Sequence, residues 1–207
     1  MNDLKFEMMK QDEIEESAML TVRAFEDYNY MVNYMADSNR RRKFLEITMP
    51  IELKINHEAI NIVVKKDNRI VAVATIYRPG GKKVNDIEYF KAGMIKAFLA
   101  GGIIDVCAWV NMDKHASTPC HTLKKDAWYV NMITVEPEFQ GKGIGSKLIN
   151  DFIVPYVKDN GGKEVSLFTN NDRNKKFYVK NGFSEFNFRE FSYKGNKMPN
   201  YSMVRAV

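Results

Sequence analysis

The chain has 207 residues, of which 45% are hydrophobic and 28% are charged, with a formal net charge of +5 and a pI near 9.0. This length and apolar content suit one globular domain with a full hydrophobic core. The basic balance is compatible with an anionic ligand. However, the sequence has no arginine-rich tail and no basic stripe interleaved with aromatic residues, which argues against a nucleic-acid partner.

Cysteine usage and hydropathy indicate the compartment. Cys107 and Cys120 show neither metal-ligand spacing nor a disulfide framework, so we expect two free thiols and no bound metal. Residues 1–7 are charged and lack the apolar core of a signal peptide. Segment 92–110 comes nearest to a membrane span, but charged residues and a glycine pair interrupt it. We therefore predict a cytoplasmic protein without a membrane partner.

The first part of the chain predicts a strand followed by two helices. Apolar and polar residues alternate over 4–10, which indicates an edge strand, and apolar residues recur at helical spacing over 12–25. A cap at Asp37 begins a second helix that is expected to reach about residue 55. Its basic run, 40–43, is expected to form a solvated helix face rather than a phosphate contact.

Six further strands are predicted from β-branched and aromatic runs, and a turn-prone sequence joins the first two in a hairpin. These strands span 59–65, 69–78, 128–135, 164–169, 183–193 and 201–207. One helix is expected before a glycine pair at 161–162, with Pro155 kinking or shortening it, and another over 172–180.

The segment 82–125 is longer than an ordinary connection and predicts inserted helices. Four residues at helical spacing form a stripe that we expect to pack in the core: Ile87, Phe90, Met94 and Phe98. A glycine pair should break this helix, and 103–110 predicts a second, short one. His115 and His121 are expected to lie in a loop, with a smaller chance that His121 faces a substrate.

A glycine-rich loop follows the strand Trp128–Val135, which ends before Pro137. The loop, 140–145, reads Gln-Gly-Lys-Gly-Ile-Gly and precedes a helix. Glycine allows backbone N–H groups to approach a phosphate, and a helix start adds free donors and a positive dipole end. The spacing fits neither the dinucleotide fingerprint, because Ser146 occupies its last position, nor a P-loop.

A second motif stands downstream, where Tyr178 lies four residues before the pair Gly182-Phe183. The pattern Gln-x-x-Gly-x-Gly after a strand ending in Val-x-Pro, followed by this tyrosine spacing, resembles the GNAT superfamily of acyl-CoA-dependent N-acyltransferases. The inserted segment and the pair Arg173-Asn174 resemble its puromycin N-acetyltransferase branch.

The resemblance implies an α/β fold of the mixed (α+β) kind. Its sheet would have about seven mostly antiparallel strands, split where the cofactor enters and flanked by helices. Residues 1–207 would form a single GNAT domain that carries the helical insertion 82–125 before the core strand.

The resemblance also implies acetyl-CoA as donor, no metal, and Tyr178 as the acid that protonates the departing thiolate. A backbone N–H near Thr134 or Val135 would stabilise the developing oxyanion. The residues expected to bind the cofactor are Ile133, Thr134, Val135, Gln140, Gly141, Lys142, Gly143, Ile144, Gly145, Ser146, Asn171, Asn174, Phe177 and Tyr178.

The acceptor side is less defined by the sequence. The resemblance implies that the acidic and aromatic linker between the first two helices walls the acceptor pocket. Its side chains could bind a cationic amine by charge and cation–π contact, or the segment could equally be an ordinary packed linker. The expected acceptor-binding residues are Glu26, Asp27, Tyr28 and Tyr129. The general base is left open among Glu136, Tyr129 and the acidic residues of the linker, and Glu136 could equally be a solvated turn residue.

We therefore predict an acetyl-CoA-dependent N-acetyltransferase that acts by direct transfer on a primary amine of a small molecule, because neither cysteine lies in a motif. A protein or peptide acetyltransferase, a non-catalytic acyl-CoA sensor and a longer-chain acyltransferase are the alternatives. The expected partners are acetyl-CoA and an amine acceptor, and the sequence leaves open whether the protein is a monomer or a homodimer.

Overall fold

The computed structural model describes residues 4–81 and 84–207. The strands in these ranges are β1 (Leu4–Met8), β2 (Ala59–Lys66), β3 (Arg69–Tyr77), β4 (Trp128–Val135), β5 (Glu164–Thr169), β6 (Ser184–Tyr193) and β7 (Asn196–Ala206). The helices are α1 (Ile14–Phe25), α2 (Asn29–Val32), α3 (Ser38–Ile55), α4 (Asp86–Lys91), α5 (Met94–Gly101), α6 (Ile103–Thr122), α7 (Ile144–Lys147), α8 (Val154–Asp159) and α9 (Asp172–Lys180). Lys82 and Lys83, which begin the expected insertion, lie outside the described residues.

The sheet has the order β1-β2-β3-β4-β5-β7-β6. Every neighbouring pair is antiparallel except β4 and β5, which are parallel. Only two residue pairs join them, Trp128 with Val165 and Tyr129 with Ser166. Beyond these pairs the two strands diverge, which leaves the rest of the β4 edge open. The predicted mixed, split sheet of seven strands is confirmed.

Most strands and the last helix lie close to their predicted positions, although β7 begins at Asn196, five residues before the predicted start at Tyr201. The β2–β3 turn places Asp67 and Asn68 at φ values of 51° and 62°, the left-handed pair of a tight hairpin turn. A π-helical stretch, Leu148–Ile153, joins α7 to α8 directly before Pro155. Proline lacks an N–H, and the widened turn accommodates its ring, so the distortion predicted at this residue is confirmed.

The second inserted helix is much longer than predicted. α6 continues to Thr122, so His115 and His121 lie in a helix and the prediction of a loop is wrong. Polar residues in the second half of α6 interrupt the helical spacing of apolar residues, which made this half hard to recognise. Pro119 does not end the helix, because it lies in the last turn, where a missing backbone N–H removes few helical hydrogen bonds.

The predicted core stripe of the insertion is also only partly correct. Met94 and Phe98 pack against the core, but Ile87 and Phe90 are exposed. Gly93, at a φ of 96°, separates α4 from α5 and changes the direction of the chain. Residues on either side of this break therefore no longer share one helix face.

The basic run at the start of α3 is not wholly solvated. Arg41 is only 4% exposed, and its guanidinium donates to the backbone carbonyls of Glu26, Met35 and Ala36. These bonds satisfy carbonyl groups in the segment that links α1 to α3. The prediction of an exposed face is therefore wrong for Arg41, whose role is structural.

Two apolar layers cover the faces of the sheet. α1, α3, α5 and α6 pack on one face, and α7 with the π-helical stretch and α8 packs on the other. In the described ranges, no single helix combines the length and apolar character needed to cross a bilayer. α5 and α6 meet that test only as a pair, across a bend of 113°.

Candidate active site

The open edge of β4 offers backbone groups to a ligand. The N–H of Glu136 donates to the carbonyl of Val71 on β3, at 3.0 Å. The backbone N–H and C=O groups of successive strand residues point alternately to the two edges of the strand, so residues two apart share an edge. Thr134, which is paired with Val73, therefore faces β3 as Glu136 does. Ile133 and Val135 then face the split. The Val135 carbonyl accepts from Gln140 Nε2 at 3.1 Å, in agreement with this alternation.

This alternation corrects one prediction. The backbone N–H of Thr134 is turned away from the split, and its buried side-chain hydroxyl lies 3.4 Å from both Thr21 Oγ1 and the Val73 carbonyl. Of the two backbone donors that the sequence left open, only Val135 faces the side where β4 and β5 separate.

The glycine loop has the geometry of a backbone cradle. Gly141 and Gly143 have φ values of 74° and 79°, which L side chains rarely adopt. A Cβ at either position would meet no atom within 4 Å, so the space beside both residues is open. Helix α7 begins directly afterwards at Ile144, which leaves the first backbone N–H groups of the helix without helical partners.

The loop and the second motif contact each other. A Cβ on Gly145 would lie 3.1 Å from Phe177 Cζ, so only glycine allows α9 to approach this closely without adjustment. The amide oxygen of Asn171 caps α9 by accepting from the backbone N–H of Asn174, at 2.7 Å. The cap fixes the helix start at the end of β5, next to the split.

Tyr28 links the predicted acceptor side to this motif. Asn174 Nδ2 and the backbone N–H of Asn170 each donate to the Tyr28 hydroxyl at 3.3 Å. Thr169 Oγ1 lies at the same distance from it. The structure therefore brings together Tyr28, expected to bind the acceptor, and Asn174, expected to bind the cofactor.

Tyr178 lies between the rings of Phe177 and Phe183, with ring centroids 5.1 and 5.5 Å away. Burial, and to a lesser extent the nearby Tyr28, raises the pKa of the Tyr178 hydroxyl above its ordinary value. The phenol therefore holds its proton throughout the neutral range and is available as a hydrogen-bond donor.

The predicted acidic residues are held by arginines. Glu136 is only 4% exposed and accepts two hydrogen bonds from Arg23, at 2.8 and 2.7 Å, so it is not a solvated turn residue. The Glu26 carboxylate lies 3.3 Å from Arg42. Asp27 is 3.6 Å from Arg41, and its side chain is almost fully exposed. These ion pairs count against all three as free bases.

A cluster of tyrosines and two carboxyl groups lies on the α3 and α6 side of β4. The Tyr30 hydroxyl donates to Asp113 on α6, and the Tyr89 hydroxyl donates to Glu52 on α3 at 3.0 Å. Tyr129 stacks with Tyr77 at 6.5 Å between centroids. We call this set the acidic cleft; its members are Tyr30, Glu52, Tyr77, Tyr89, Asp113 and Tyr129.

Electrostatic coupling joins the acidic cleft to the second motif. Burial raises the pKa of Tyr129, and the nearby Asp113 and Tyr178 raise it further, which places Tyr129 within electrostatic reach of both groups. Burial also raises the pKa of Glu52 from 4.5 to about 7, against the opposing effect of the Tyr89 hydrogen bond. Asp113 adds to that increase. His121 lies beside Tyr129, 4.6 Å between ring centroids.

Sequence reasoning missed most of the acidic cleft. Tyr129 was expected near the acceptor, but Glu52, Tyr89 and Asp113 were not, because each is a lone polar residue in a helix. The one feature that could have pointed to them is that Asp113 and Tyr89 are polar residues within the otherwise apolar helical pattern of the insertion. Among the described residues no group of three or more His, Cys, Asp and Glu side chains could hold a metal ion, and both cysteines are free.

Comparison with known proteins agrees with this geometry. Residues 93–185 match the family model described as Acetyltransferase (GNAT) domain. No curated protein matches the chain. The match contains the open strand, the glycine loop and the Tyr178 helix, so this part of the chain is similar to a GNAT acetyltransferase domain. The protein is an acetyltransferase.

Solved structures share the fold over the whole chain. One is described as histone acetyltransferase HPA2 and related acetyltransferase from Corynebacterium glutamicum (17% identity, 98% of this chain and 96% of that chain, TM-score 0.63). Another is a polyamine N-acetyltransferase from Drosophila melanogaster (14%, 99% and 100%, TM-score 0.63). A third is PaiA N-acetyltransferase from Thermoplasma acidophilum in complex with coenzyme A (10%, 99% and 99%, TM-score 0.59). At these identities the likeness concerns the fold alone.

Proposed function

We propose that this acetyltransferase transfers an acetyl group from acetyl-CoA directly to the primary amine of a small, cationic molecule. The observation that carries the proposal is the convergence of Tyr28, Asn174 and Tyr178 at the open edge of β4, beside the acidic cleft. One side of this junction has the backbone donors that an acyl-CoA requires. The other side has the carboxyl groups and aromatic faces that an ammonium group requires.

The residues present fit coenzyme A. The loop at Gly141 and Gly143 and the first N–H groups of α7 would hold the pyrophosphate, because they combine free donors with a positive helix end. The open edges of Ile133 and Val135 would pair with the amide groups of the pantetheine arm. Acetyl-CoA, when bound, supplies the activated thioester.

The chain's own groups then have separate roles. The N–H of Val135 or Ile133 donates to the carbonyl oxygen as negative charge develops on it. Tyr178 holds a proton for the sulfur that departs, and its raised pKa keeps that proton in place until it is needed. Neither step requires a nucleophilic side chain.

The acceptor amine must reach the thioester as the neutral base. A lysine-like amine has a pKa of about 10.4 in water, and transfer into a partly dry cleft lowers it. Asp113 and Glu52 would attract the cationic form, and the faces of Tyr28, Tyr30 and Tyr129 would hold it. The base is left open, and of the original set Tyr129 interacts electrostatically with both Asp113 and Tyr178.

Several features favour a small acceptor over a peptide. α4 and α6 of the insertion supply Tyr89 and Asp113, whose hydrogen bonds to Glu52 and Tyr30 hold both helices beside the proposed acceptor side. The names of the similar structures include both histone and polyamine acetylation, and the fold does not choose between them. The resemblance to the puromycin branch rests on Arg173-Asn174 and the insertion, and it remains a prediction.

The acceptor class can be tested by thiol release from acetyl-CoA across neutral amines, monoamines, diamines, polyamines and lysine-containing peptides. We expect diamines and polyamines to react best. Asp113→Asn should raise their KM by about tenfold, a loss of about 1.4 kcal/mol, because one counter-charge is removed. Asp126→Asn, an exposed change outside the cleft, is the matched control. A lysine peptide that outcompetes every small amine would contradict the proposal, as would binding without release from any amine.

A further inference from the structure

Two buried asparagines lie between the proposed acceptor side and the Tyr178 helix. Asn170 follows β5 and is 2% exposed, and Asn200 on β7 is completely buried. Asn170 Nδ2 donates to Asn200 Oδ1 at 3.0 Å and to the carbonyl of Pro199 at 3.2 Å. We call these two residues the asparagine pair. A buried amide without partners destabilises a fold, so two amides that bind each other constrain the elements that carry them.

On one side the asparagine pair holds helix α6. Asn200 Nδ2 donates to the carbonyl of Ala116 at 3.3 Å. The carbonyl of His115 lacks its usual helical donor because Pro119 has no N–H, and Arg189 on β6 donates to it at 2.9 Å. Strands β6 and β7 therefore each supply one donor to two successive carbonyls of α6.

On the other side the asparagine pair holds the Tyr28 hydroxyl. The side chain of Asn170 is fixed by its hydrogen bonds, and its backbone N–H donates to this hydroxyl at 3.3 Å. Asn174 Nδ2 donates to the same oxygen at 3.3 Å, and Asn174 lies about one helical turn before Tyr178. The hydrogen bonds thus form a continuous path from α6 through Asn200, Asn170 and Tyr28 to α9.

We infer that Asn170 and Asn200 are positioning residues for acetyl transfer, an inference that rests on the proposed function. The turn of α6 that Asn200 holds follows directly after Asp113. The turn of α9 that Tyr28 binds leads to Tyr178. The asparagine pair therefore sets the separation between Asp113, which would attract the acceptor, and Tyr178, which would protonate the departing sulfur. Neither asparagine needs to touch the substrate for this role.

The directions of the hydrogen bonds make the asparagine pair specific. Ala116 offers Asn200 only a carbonyl, and Asn170 offers it an NH2 group, so the Asn200 amide fits in one orientation. Leucine has a similar size but can neither donate to Ala116 nor accept from Asn170. These hydrogen bonds involve neither the glycine loop nor β4, so their loss should affect the acceptor and leave the cofactor.

Steady-state kinetics of the full chain, with acetyl-CoA and the small amine that reacts best in the thiol-release panel, test the inference. Asn200→Leu should raise the KM for this amine by at least about fivefold, because α6 and α9 are no longer held together. The Kd for acetyl-CoA, measured by calorimetry, should change by less than about twofold. Asn61→Leu is the matched control: Asn61 Nδ2 donates to the helix carbonyl of Leu53, and its Oδ1 accepts from Thr75. It should leave both constants unchanged.

A merely structural role would give a different result. Loss of folded protein lowers the number of active sites but leaves the KM unchanged, and the stoichiometry of acetyl-CoA binding counts those sites. Arg189→Met is the second variant, because it removes the hydrogen bond to His115 without a change in the buried core, and it should raise the same KM by about threefold. Loss of a cation alone would favour a cationic amine, so a rise reports the hydrogen bond.

The unmodified chain separates this inference from the proposed function. Thiol release by the unmodified chain, with an unchanged KM in folded Asn200→Leu protein or an equal rise in Asn61→Leu, would overturn the inference alone. If Asn200→Leu does not fold, Arg189→Met decides, and an unchanged KM in that variant would overturn the inference. No thiol release from any amine would contradict the proposed function and the inference with it.

Discussion

We propose that the chemistry of this acetyltransferase depends most directly on Tyr178. It lies between two aromatic rings, its pKa is raised by burial, and it interacts with both Tyr28 and Tyr129. A phenol in such a place keeps its proton in the neutral range and can donate a hydrogen bond. The sulfur that departs would accept this hydrogen bond as negative charge develops on it, so the same residue would be protonated before transfer and engaged during it.

Replacement of this hydroxyl separates chemistry from binding. Tyr178→Phe should lower kcat by about 100-fold while the Kd for acetyl-CoA changes by less than about twofold, because the ring and its packing remain. Steady-state thiol release and calorimetry measure the two quantities. Tyr156→Phe, whose ring packs on Trp128 away from the site, is the control. Equal turnover in the Tyr178 variant would end its assignment as the general acid.

At the scale of elements, the inserted helices contribute side chains to the acidic cleft, where we propose that the acceptor binds. α4 supplies Tyr89, whose hydroxyl binds Glu52 on α3, and α6 supplies Asp113, which binds Tyr30 on α2. Polar contacts thus join four helices near the end of β3 and the start of β4. The cost of this arrangement is a carboxyl group, Glu52, that resists ionisation.

Glu52 makes a prediction about stability and pH. The unfolded chain loses this proton near pH 4.5 and the folded chain near pH 7, so between these values the folded state binds more protons and stability falls as pH rises. Glu52→Gln should therefore leave stability nearly unchanged at pH 5 and increase it by about 1 to 3 kcal/mol at pH 8. Urea unfolding at both pH values measures the difference. An exposed change, Glu58→Gln, should show no such pH dependence, and a Glu52 variant that behaves like it would refute the burial argument.

The elements also show what the sequence could and could not predict. β4, β5 and α9 lie where they were predicted, because β-branched runs, prolines and a capping asparagine are local signals. The length of α6 and the exposure of Ile87 were missed, since they depend on how Gly93 and Gly102 turn the chain. The acidic cleft was missed for the same reason: Glu52, Tyr89 and Asp113 meet only after α3, α4 and α6 have packed.

At the scale of the whole molecule, the split of the sheet separates two kinds of surface. On one side are the glycine loop and the open edge of β4, which offer backbone donors. On the other side is the acidic cleft, which offers carboxyl groups and aromatic faces. The inserted helices contribute Tyr89 and Asp113 to the acidic cleft, so we propose that the insertion shapes the acceptor side of the molecule.

The claim that underlies this account is that the split sheet binds acetyl-CoA, and calorimetric titration tests it most directly. We expect saturable binding with a Kd on the order of micromolar. Gly143→Asp should weaken it by at least about tenfold, because a carboxylate would stand where the pyrophosphate binds. Gly195→Asp has a similar left-handed backbone, with a φ of 82° in the β6–β7 turn, and should leave the Kd unchanged. No binding by the unmodified chain, or equal affinity in the Gly143 variant, would contradict the account.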